Sequence, residues 1–257
     1  VICPELVELE TNPSLFLRCE NGSPHRAAKR FAAYWDFRVE LLGNERAFLP
    51  ISLAEGGAYH EDEEMIRMMR ESPTYRYILP HDTHGRNVLY VESDQENVAT
   101  MQFSRQTKIK YAFYIMHRIM KQQSSISRGI VVLCYYDDRG QFDLNKFDRI
   151  KEKKMAELVR ECIPLKFRAQ HLIISKCSWV TELLGPVIKY FWDPEFRLRF
   201  FDHCIAKEKE KARSILERLE SYGLKEEGLP AFLGGTYQFN TLWTQQHIQD
   251  DEEHRTN

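Results

Sequence analysis

The pattern of hydrophobic and polar positions divides the chain into a helical part and a part in which strands and helices alternate. Between Ser14 and Met69, apolar residues such as Phe31 and Trp35 recur at roughly 3.6-residue intervals, which predicts amphipathic helices. The sequence Glu55-Gly56-Gly57 interrupts this pattern, and the acidic stretch from His60 to Glu64 predicts the start of another helix. We therefore expect the chain to begin with an all-helical lobe.

After Pro80, short apolar runs alternate with longer amphipathic stretches. The runs typical of strands are Val88–Val91, Gly129–Tyr136, His171–Ile174 and, as a short edge strand, Phe200–Cys204. The stretches typical of helices are Arg105–Lys121, Leu144–Cys162, Val180–Ile188 and Lys207–Tyr222. Strands joined through helices predict an α/β fold with a mainly parallel sheet covered by helices. We expect a helical lobe at residues 14–75, an α/β domain at residues 76–240 and a polar tail at residues 241–257.

The composition excludes several classes of protein. With 43% hydrophobic and 29% charged residues, the chain has the balance of a globular protein and not of a disordered or collagen-like one. Its longest apolar run, Gly129–Tyr136, is far shorter than the roughly 18 residues that a membrane span requires. Lysine and arginine total 36 against 38 aspartate and glutamate residues, a net charge of −2. Any anion-binding site must therefore be a local cluster, and no nucleic acid is expected as a partner.

The cysteines indicate the compartment. There are six, without a CxxC pair, and Cys134 and Cys162 fall within predicted apolar elements. Free thiols in a reducing cytosol account for this pattern better than disulfides do, so a cytoplasmic protein is expected.

The sequence lacks the common motifs of catalytic and cofactor sites. It has no GxxxxGK[ST] or GxGxxG phosphate loop, no GxSxG serine elbow and no HExxH motif, so we expect no catalytic residue, cofactor or metal. His81 and His84 could ligate zinc, although a polar surface turn is the commoner explanation for such a pair. His171 fits a core histidine better than a catalytic base, and the apolar run around Cys134 offers no group to activate a nucleophile.

The stretch from Pro186 to Phe201 interleaves large aromatic residues with Lys189, Arg197 and Arg199. One interpretation is a core helix whose cationic side chains extend to solvent, and composition alone favours it. The other is a movable amphipathic lid, which covers a lipid pocket with its apolar side and meets anionic headgroups with its cations.

Five segments, in order along the chain, resemble motifs of the CRAL-TRIO lipid-binding domains, closest to the tocopherol- and retinaldehyde-binding branch. They are Phe16-Leu-Arg18 ahead of an aromatic helix, Asp137-Asp-Arg-Gly140, Pro164-Leu-Lys-Phe-Arg-Ala-Gln-His-Leu-Ile173, Lys189-Tyr-Phe-Trp-Asp-Pro194 and Leu229-Pro-Ala-Phe-Leu-Gly-Gly235. The likeness covers about residues 14 to 240. It implies a sheet floor and helical walls around an apolar cavity that is gated by a helix.

The resemblance also implies a function without covalent chemistry. It predicts a non-enzymatic monomer that binds one hydrophobic lipid and exchanges it at anionic or phosphoinositide-containing membranes, with which it associates transiently. The expected ligand is sterol-, isoprenoid- or phospholipid-like. One alternative is a scaffold of the same fold that docks on phosphoinositides or on a protein without transferring lipid. An enzyme that uses Cys134, His171 or the pair of His81 and His84 has the least support.

Strand alternation and the resemblance together indicate the residues of the site. The expected lipid pocket comprises apolar residues of the central strands and of the lid, namely Ile130, Val132, Cys134, Tyr136, Phe142, Leu172, Ile174, Trp179, Val187, Phe191 and Phe196. The resemblance implies a phosphoinositide headgroup and membrane site at Lys166, Arg168, Arg197 and Arg199, for which solvated surface charge is the other explanation.

Departures from the family sharpen these expectations. Glu20 stands where the family usually has a second arginine, so the basic set lacks one cation at this position. A phospholipid exchanger of the family has an acid at the position of Leu165 and hydroxyls at those of Val132 and Cys134. Because an enclosed headgroup without polar partners costs several kcal/mol, a sterol- or isoprenoid-like cargo is favoured over a phospholipid.

Overall fold

The structure is a computed structural model that describes residues 4–71, 75–78, 82–94, 103–122, 128–137, 148–175, 200–205 and 211–237. Its helices are α1 (Pro4–Glu10), α2 (Pro13–Cys19), α3 (Pro24–Arg46), α4 (Glu63–Glu71), α5 (Arg105–Lys121), α6 (Arg149–Glu157) and α7 (Lys211–Ser221). A π-helical turn at Leu158–Cys162 continues α6, and 3₁₀ turns at Glu226–Gly228 and Ala231–Leu233 follow α7. Its strands are β1 (Tyr75–Ile78), β2 (Asn87–Asp94), β3 (Ile130–Asp137), β4 (Phe167–Ser175) and β5 (Phe200–Ile205).

Polar residues that cap backbone amides set the starts of several helices. Asn12 and Ser23 cap α2 and α3, and a proline follows each cap at the start of the helix, where the missing amide is not needed. Ser104 caps α5 by accepting a hydrogen bond from the amide of Thr107 at 3.1 Å, and Asp148 caps α6 in the same manner. These local signals position the helices that cover the sheet.

The strands form one sheet in the order β1-β2-β3-β4-β5. β1 pairs with β2 in antiparallel orientation, whereas the pairs β2–β3, β3–β4 and β4–β5 are parallel. The predicted mainly parallel sheet is therefore confirmed, and the strand that begins at Phe200 lies at the edge as expected. The sequence pattern does not predict β1, whose four residues, Tyr-Arg-Tyr-Ile, do not form a continuous apolar run.

Successive residues of the central strands point to opposite faces of the sheet and pack into separate cores. Ile130 and Val132 pack with the helical lobe, α5 and the π-helical turn. Val131 and Leu133 pack with α7 and the turns that follow it. The helical lobe therefore covers one face of the sheet, and the C-terminal described segment covers the other.

The remaining predicted elements have mixed outcomes. The helix Arg105–Lys121 is confirmed at both ends, and the predicted strand His171–Ile174 is the second half of the longer strand β4. The predicted helix Leu144–Cys162 is present from residue 149 and ends in the π-helical turn, while Val180–Ile188 lies outside the described residues. The domain boundaries near residues 75 and 240 stay predictions. In the described part of the chain, no helix has the length and apolar character needed to cross a bilayer.

Where α1, α3 and α5 meet, the buried side chains of Glu10, Arg38 and His117 lie together with Lys121, whose side chain is 43% exposed, and we call these four residues the buried cluster. Glu10 accepts hydrogen bonds from Arg38 Nη1 at 3.2 Å and from Lys121 Nζ at 3.0 Å. It also accepts one from the backbone amide of Ile51 at 3.0 Å. Arg38 is fully buried and Glu10 is 4% exposed, so the cluster ties α1, α3 and α5 together inside the lobe.

Burial and neighbouring charges determine the protonation states in the buried cluster. Burial by itself would raise the pKa of Glu10, but protonated His117, Lys121, Arg38 and the hydrogen bond from the Ile51 amide outweigh it and hold that pKa below its usual range. Burial lowers the pKa of His117, and the cations Lys121 and Arg38 lower it further. These effects outweigh the carboxylate of Glu10, which raises the pKa, so His117 is neutral at neutral pH. Burial raises the pKa of Tyr34, whose hydroxyl therefore stays protonated and forms a hydrogen bond with His117 Nδ1 at 2.7 Å.

Candidate functional site

The amino ends of the parallel strands bring basic residues together at one edge of the sheet. Arg128 lies two residues before β3, Lys166 directly precedes β4, and Arg168 is the second residue of β4. Because adjacent parallel strands start at the same edge, these residues are neighbours in space, and we call them the edge cluster. Arg197 and Arg199, the other two predicted headgroup residues, lie outside the described residues.

Neutral oxygen atoms hold the side chains of the edge cluster. Lys166 Nζ donates to Asn21 Oδ1 at 2.6 Å. Arg168 Nε donates to the backbone carbonyl of Arg128 at 3.0 Å, and Arg128 Nη1 donates to the carbonyl of His84 at 3.2 Å. These hydrogen bonds orient the three side chains without cancelling their charge.

Cys19, at the C-terminal end of α2, lies near charges of both signs. Burial raises the pKa of Cys19 and Glu20 raises it further, whereas Arg30, Lys166 and Arg168 lower it. Arg30 on α3, Lys166 ahead of β4 and Arg168 on β4 therefore lie around the end of α2, where Glu20 opposes them.

Glu20, directly after α2, lowers the net positive charge beside the edge cluster. Its Oε1 accepts a hydrogen bond from Arg30 Nε at 2.5 Å, and its Oε2 lies 3.9 Å from Arg26 Nε. Arg30 also donates to the carbonyl of Ile163 at 3.1 Å, which fixes its guanidinium beside Glu20. The departure from the family at Glu20 therefore removes positive charge on the α2–α3 side of the site.

The predicted pocket residues of β3 become less buried toward the carboxyl end of the strand. Ile130 is fully buried and Val132 is 7% exposed, and both pack into the core with the helical lobe. Cys134 is half-buried, and so is Leu172, its register partner on β4. The apolar face therefore continues beyond the tightly packed core.

The other predicted pocket residues are only partly placed. Tyr136 and Ile174 are register partners of each other, one step further along β3 and β4. The pocket residues that lie outside the described residues are Phe142, Trp179, Val187, Phe191 and Phe196. The assignment of the full set to a lipid pocket stays a prediction.

Sequence reasoning missed a polar residue on this face. Gln170 is the register partner of Val132, and its Nε2 lies 3.5 Å from Cys134 Sγ. The signal was present in the sequence, because Gln170 precedes Leu172 by two positions and residues two apart in a strand share a face. Gln170 offers one hydrogen-bonding group to a molecule that lies on this apolar surface.

The residues considered for catalysis lie elsewhere. His171 is 1% exposed, and its ring centroid lies 5.0 Å from that of Tyr222, as expected for a core histidine. His84 is exposed, with Nδ1 3.9 Å from Asp82 Oδ2, and His81 lies outside the described residues. Within the described ranges, no group of three His, Cys, Asp or Glu side chains has the arrangement of a metal site.

Comparison with known proteins agrees with the fold. Residues 72–235 match the sequence model of the CRAL/TRIO domain. A crystal structure of Sfh5 is similar, with a TM-score of 0.51 and 12% sequence identity over 98% of this chain and 83% of that chain, a likeness that concerns the fold alone. No curated protein has significant sequence similarity. The predicted α/β fold is confirmed, and because the match covers more than half of the chain, the protein belongs to the CRAL-TRIO family, whose members are in general non-enzymatic lipid-binding and lipid-transfer proteins.

Proposed function

We propose that the protein binds one hydrophobic lipid on the sheet face that carries Cys134, Gln170 and Leu172 and transfers it between membranes. The observation that carries this proposal is the decline in burial along β3, from the fully buried Ile130 to the half-buried Cys134, in a family that binds lipids in general. An apolar tail on this face would be removed from water, which stabilises the complex by roughly 25 cal/mol for each Å² of apolar surface.

The polar groups near this face indicate the chemistry of the cargo. Leu165 is 4% exposed, and it offers no acid to a phospholipid headgroup. Val132 and Cys134 likewise offer no hydroxyl, so an enclosed headgroup would lack partners at a cost of several kcal/mol. Gln170 supplies a single amide, which suits a sterol- or isoprenoid-like molecule with one hydroxyl or carbonyl group.

The edge cluster supports cargo exchange at an anionic membrane. Lysine and arginine side chains near an anionic leaflet each contribute about 1 kcal/mol to binding. Lys166 and Arg168 have neutral hydrogen-bond partners, so their charge remains available to such a surface. The protein would then be cytoplasmic and would associate with the membrane only during exchange.

The first experiment identifies the cargo. The purified protein is incubated with a cell lipid extract and purified again, and the bound lipid is identified by mass spectrometry. We expect about one lipid per protein, with a single polar group at one end. Recovery of no stoichiometric lipid would overturn the proposal.

A pair of matched variants tests where the lipid binds. Cys134→Phe adds a ring to the proposed pocket face, whereas Leu216→Phe adds the same ring beside the opposite core. We expect Cys134→Phe to lower lipid occupancy several-fold and Leu216→Phe to leave it unchanged. Equal occupancy in the two variants would contradict the placement of the lipid on the Cys134 face.

A scaffold that docks on membranes without moving lipid is the second candidate, because the edge cluster alone would suffice for docking. The discriminating measurement follows a fluorescent sterol between donor and acceptor vesicles. We expect the wild-type protein to accelerate transfer and the variant Lys166→Glu with Arg168→Glu to lose both vesicle binding and transfer. Vesicle binding by the wild-type protein without any transfer would favour the scaffold.

A further inference from the structure

The carboxylate of Glu10 lies among hydrogen-bond donors of four different kinds. Its Oε2 accepts from Arg38 Nη1 at 3.2 Å and from the backbone amide of Ile51 at 3.0 Å. Its Oε1 accepts from Lys121 Nζ at 3.0 Å, and His117 Nε2 lies 3.3 Å from Oε2. A guanidinium, an ammonium, a backbone amide and an imidazole therefore meet at one carboxylate, and such charge-assisted contacts are the stronger kind of hydrogen bond.

This site has more hydrogen-bonding groups than Glu10 uses. Arg38 Nε and His117 Nε2 are buried and have no hydrogen-bond partner among the residues that the structure describes. Arg38 is fully buried and His117 is 1% exposed, so bulk water does not reach these atoms. Because a buried polar atom without a partner costs free energy, unpaired nitrogen atoms beside a carboxylate indicate a place that suits a further or larger acceptor.

The helix that carries Glu10 is otherwise loosely held. Among the side chains of α1 that the structure describes, only that of Glu10 is buried, whereas Glu8 is exposed and Leu9 is 74% exposed. Beside α1, Thr11 accepts a hydrogen bond from Trp35 Nε1 at 3.1 Å. The cations belong instead to the long helices α3 and α5, whose apolar side chains form the core. A segment with few buried contacts opens locally at a lower free-energy cost than the core does.

We propose that Arg38, Lys121, His117 and the amide of Ile51 form a carboxylate-binding site, that α1 closes this site as a displaceable strap through Glu10, and that the site takes an external carboxylate when α1 opens. Guanidinium groups match carboxylates well, and buried cations that lose their counter-charge favour the uptake of another anion. The carboxylate can belong to a small organic acid or to an acidic side chain of a partner protein. The inference does not depend on lipid transfer, since none of these residues belongs to the proposed lipid face or to the edge cluster.

The first test removes the competing carboxylate, because a tethered Glu10 outcompetes a free ligand. The full chain with Glu10→Ala is denatured with urea at pH 7.5 in sodium acetate or in sodium chloride of equal ionic strength. We expect acetate to raise the midpoint of denaturation in a saturable manner, because a ligand that binds only the folded state stabilises it. The control Glu8→Ala should respond to acetate no more than to chloride. Equal stabilisation of Glu10→Ala by chloride would overturn the assignment to a carboxylate, and no response to either salt would overturn the site.

A second substitution tests which cation binds the carboxylate. Lys121→Gln is made in the Glu10→Ala protein, because Lys121 is 43% exposed and its replacement disturbs the core less than that of Arg38. The affinity for acetate should fall at least about fivefold, since one charged hydrogen bond is lost. Lys29→Gln, at an exposed position on α3, is the control and should leave the affinity unchanged. An unchanged affinity in the Lys121→Gln protein would contradict the proposed geometry.

A peptide distinguishes the two sources of the carboxylate. The probe is a synthetic peptide with the sequence of residues 4–13, added to the Glu10→Ala protein, and the same peptide with Glu10→Gln is its control. Stabilisation at a concentration at least about tenfold below that of acetate would assign the ligand to an acidic protein segment, because the peptide adds contacts beside the carboxylate. Stabilisation that needs as much peptide as acetate would assign it to a small acid.

The amide of Ile51 tests in the wild-type protein whether α1 leaves the site. Its acceptor is Glu10, so its hydrogen exchange, followed by nuclear magnetic resonance, reports the opening of the strap. We expect Ile51 to exchange at least about tenfold faster than Phe113 in the core part of α5, after correction for intrinsic rates. Equal free energies of exchange for the two amides would mean that α1 leaves only when the lobe unfolds, and would overturn the strap. This measurement decides the matter even if Glu10→Ala does not fold.

Discussion

The helical lobe and the amino edge of the sheet both gather cationic side chains, but they balance the charge in opposite ways. In the buried cluster, the fully buried Arg38 and the partly exposed Lys121 share the carboxylate of Glu10, at 3.2 and 3.0 Å. In the edge cluster, carbonyl and amide oxygens hold the cations and leave their charge in place. A buried cation needs a counter-charge, whereas a cation at the surface is stabilised by water and remains available to an anion. The pairing of cations thus distinguishes residues that hold the lobe together from residues that we propose meet a membrane.

The largest effect is expected for Glu10→Gln, which leaves the guanidinium of Arg38 in the core without its counter-charge. We expect the free energy of unfolding to fall by about 3–5 kcal/mol, as for other broken buried pairs. Urea denaturation followed by circular dichroism measures it. Glu8→Gln is the control, because Glu8 lies on the same helix with its side chain exposed, and it should change the free energy by less than about 0.5 kcal/mol.

A small effect of Glu10→Gln would contradict the difference that we infer between the buried cluster and the edge cluster. A fall below about 1 kcal/mol would mean that the core accommodates Arg38 without a carboxylate. The buried cluster would then resemble the edge cluster in relying on neutral hydrogen-bond partners.

The second-largest effect is expected in the edge cluster, and it concerns membrane binding and not stability. Lys166→Glu combined with Arg168→Glu should weaken binding to anionic vesicles at least about thirtyfold, since two cations near the surface are lost. Co-sedimentation with vesicles measures the change. The control, Arg70→Glu with Arg218→Glu, makes the same change in net charge at exposed positions on α4 and α7 and should retain most of the binding. Equal losses in both variants would assign the binding to net charge alone.

The pH dependence of stability sharpens the comparison further. The pKa of buried His117 lies below its usual value near 6.5, so below that pH the unfolded chain binds more protons than the folded one. The stability that neutral His117 contributes is complete above that pH and is lost as the pH falls, by up to about 1.4 kcal/mol per pH unit. The groups that face it are Glu10, Arg38, Lys121 and Tyr34.

Urea denaturation between pH 7.5 and pH 5.5 measures this slope. His117→Gln should remove the part of the slope that His117 causes, whatever its effect on stability at neutral pH. Identical slopes in the variant and the wild type would show that other groups cause the dependence. Binding to phosphatidylserine vesicles should change little over the same range, because lysine and arginine side chains ordinarily keep their charge there.

The sequence was sufficient for the periodic elements and insufficient for the buried cluster. The helix Arg105–Lys121 carries an apolar stripe and begins after the cap residue Ser104, so its bounds follow from local patterns. The bond between Glu10 and Lys121 joins positions 111 residues apart, and no spacing rule connects them. A glutamate ahead of the periodic zone is ordinarily expected to be exposed, and only the packing of three helices buries it.

Some residues of the candidate site could likewise be predicted from the sequence, and others could not. Lys166 and Arg168 followed from the family resemblance, and the face of Cys134 followed from strand alternation. Arg128 did not follow from either, because its position depends on the backbone shape at Gly85, far away in the sequence. Such contacts between the starts of parallel strands exist only once the sheet has formed.

The smallest effect is expected for Glu20→Gln. This residue shares features with both the edge cluster and the buried cluster. Glu20 lies beside the edge cluster but pairs as residues of the buried cluster do, since it accepts a hydrogen bond from Arg30 Nε at 2.5 Å. Loss of its charge would leave Arg30 available to an anion, so vesicle binding should strengthen by up to about fivefold. The free energy of unfolding should fall by about 1 kcal/mol at most, because the pair is partly exposed.

Glu61→Gln provides the control for this last change, because it removes a carboxylate that lies 3.4 Å from Arg46 on the exposed surface of the helical lobe. It should leave vesicle binding unchanged. Stronger binding by Glu20→Gln alone would mean that net local charge sets the affinity of the edge. Weaker binding would mean that Glu20 positions Arg30 for the anion, and the difference between the two clusters would then lie in geometry instead of in charge balance.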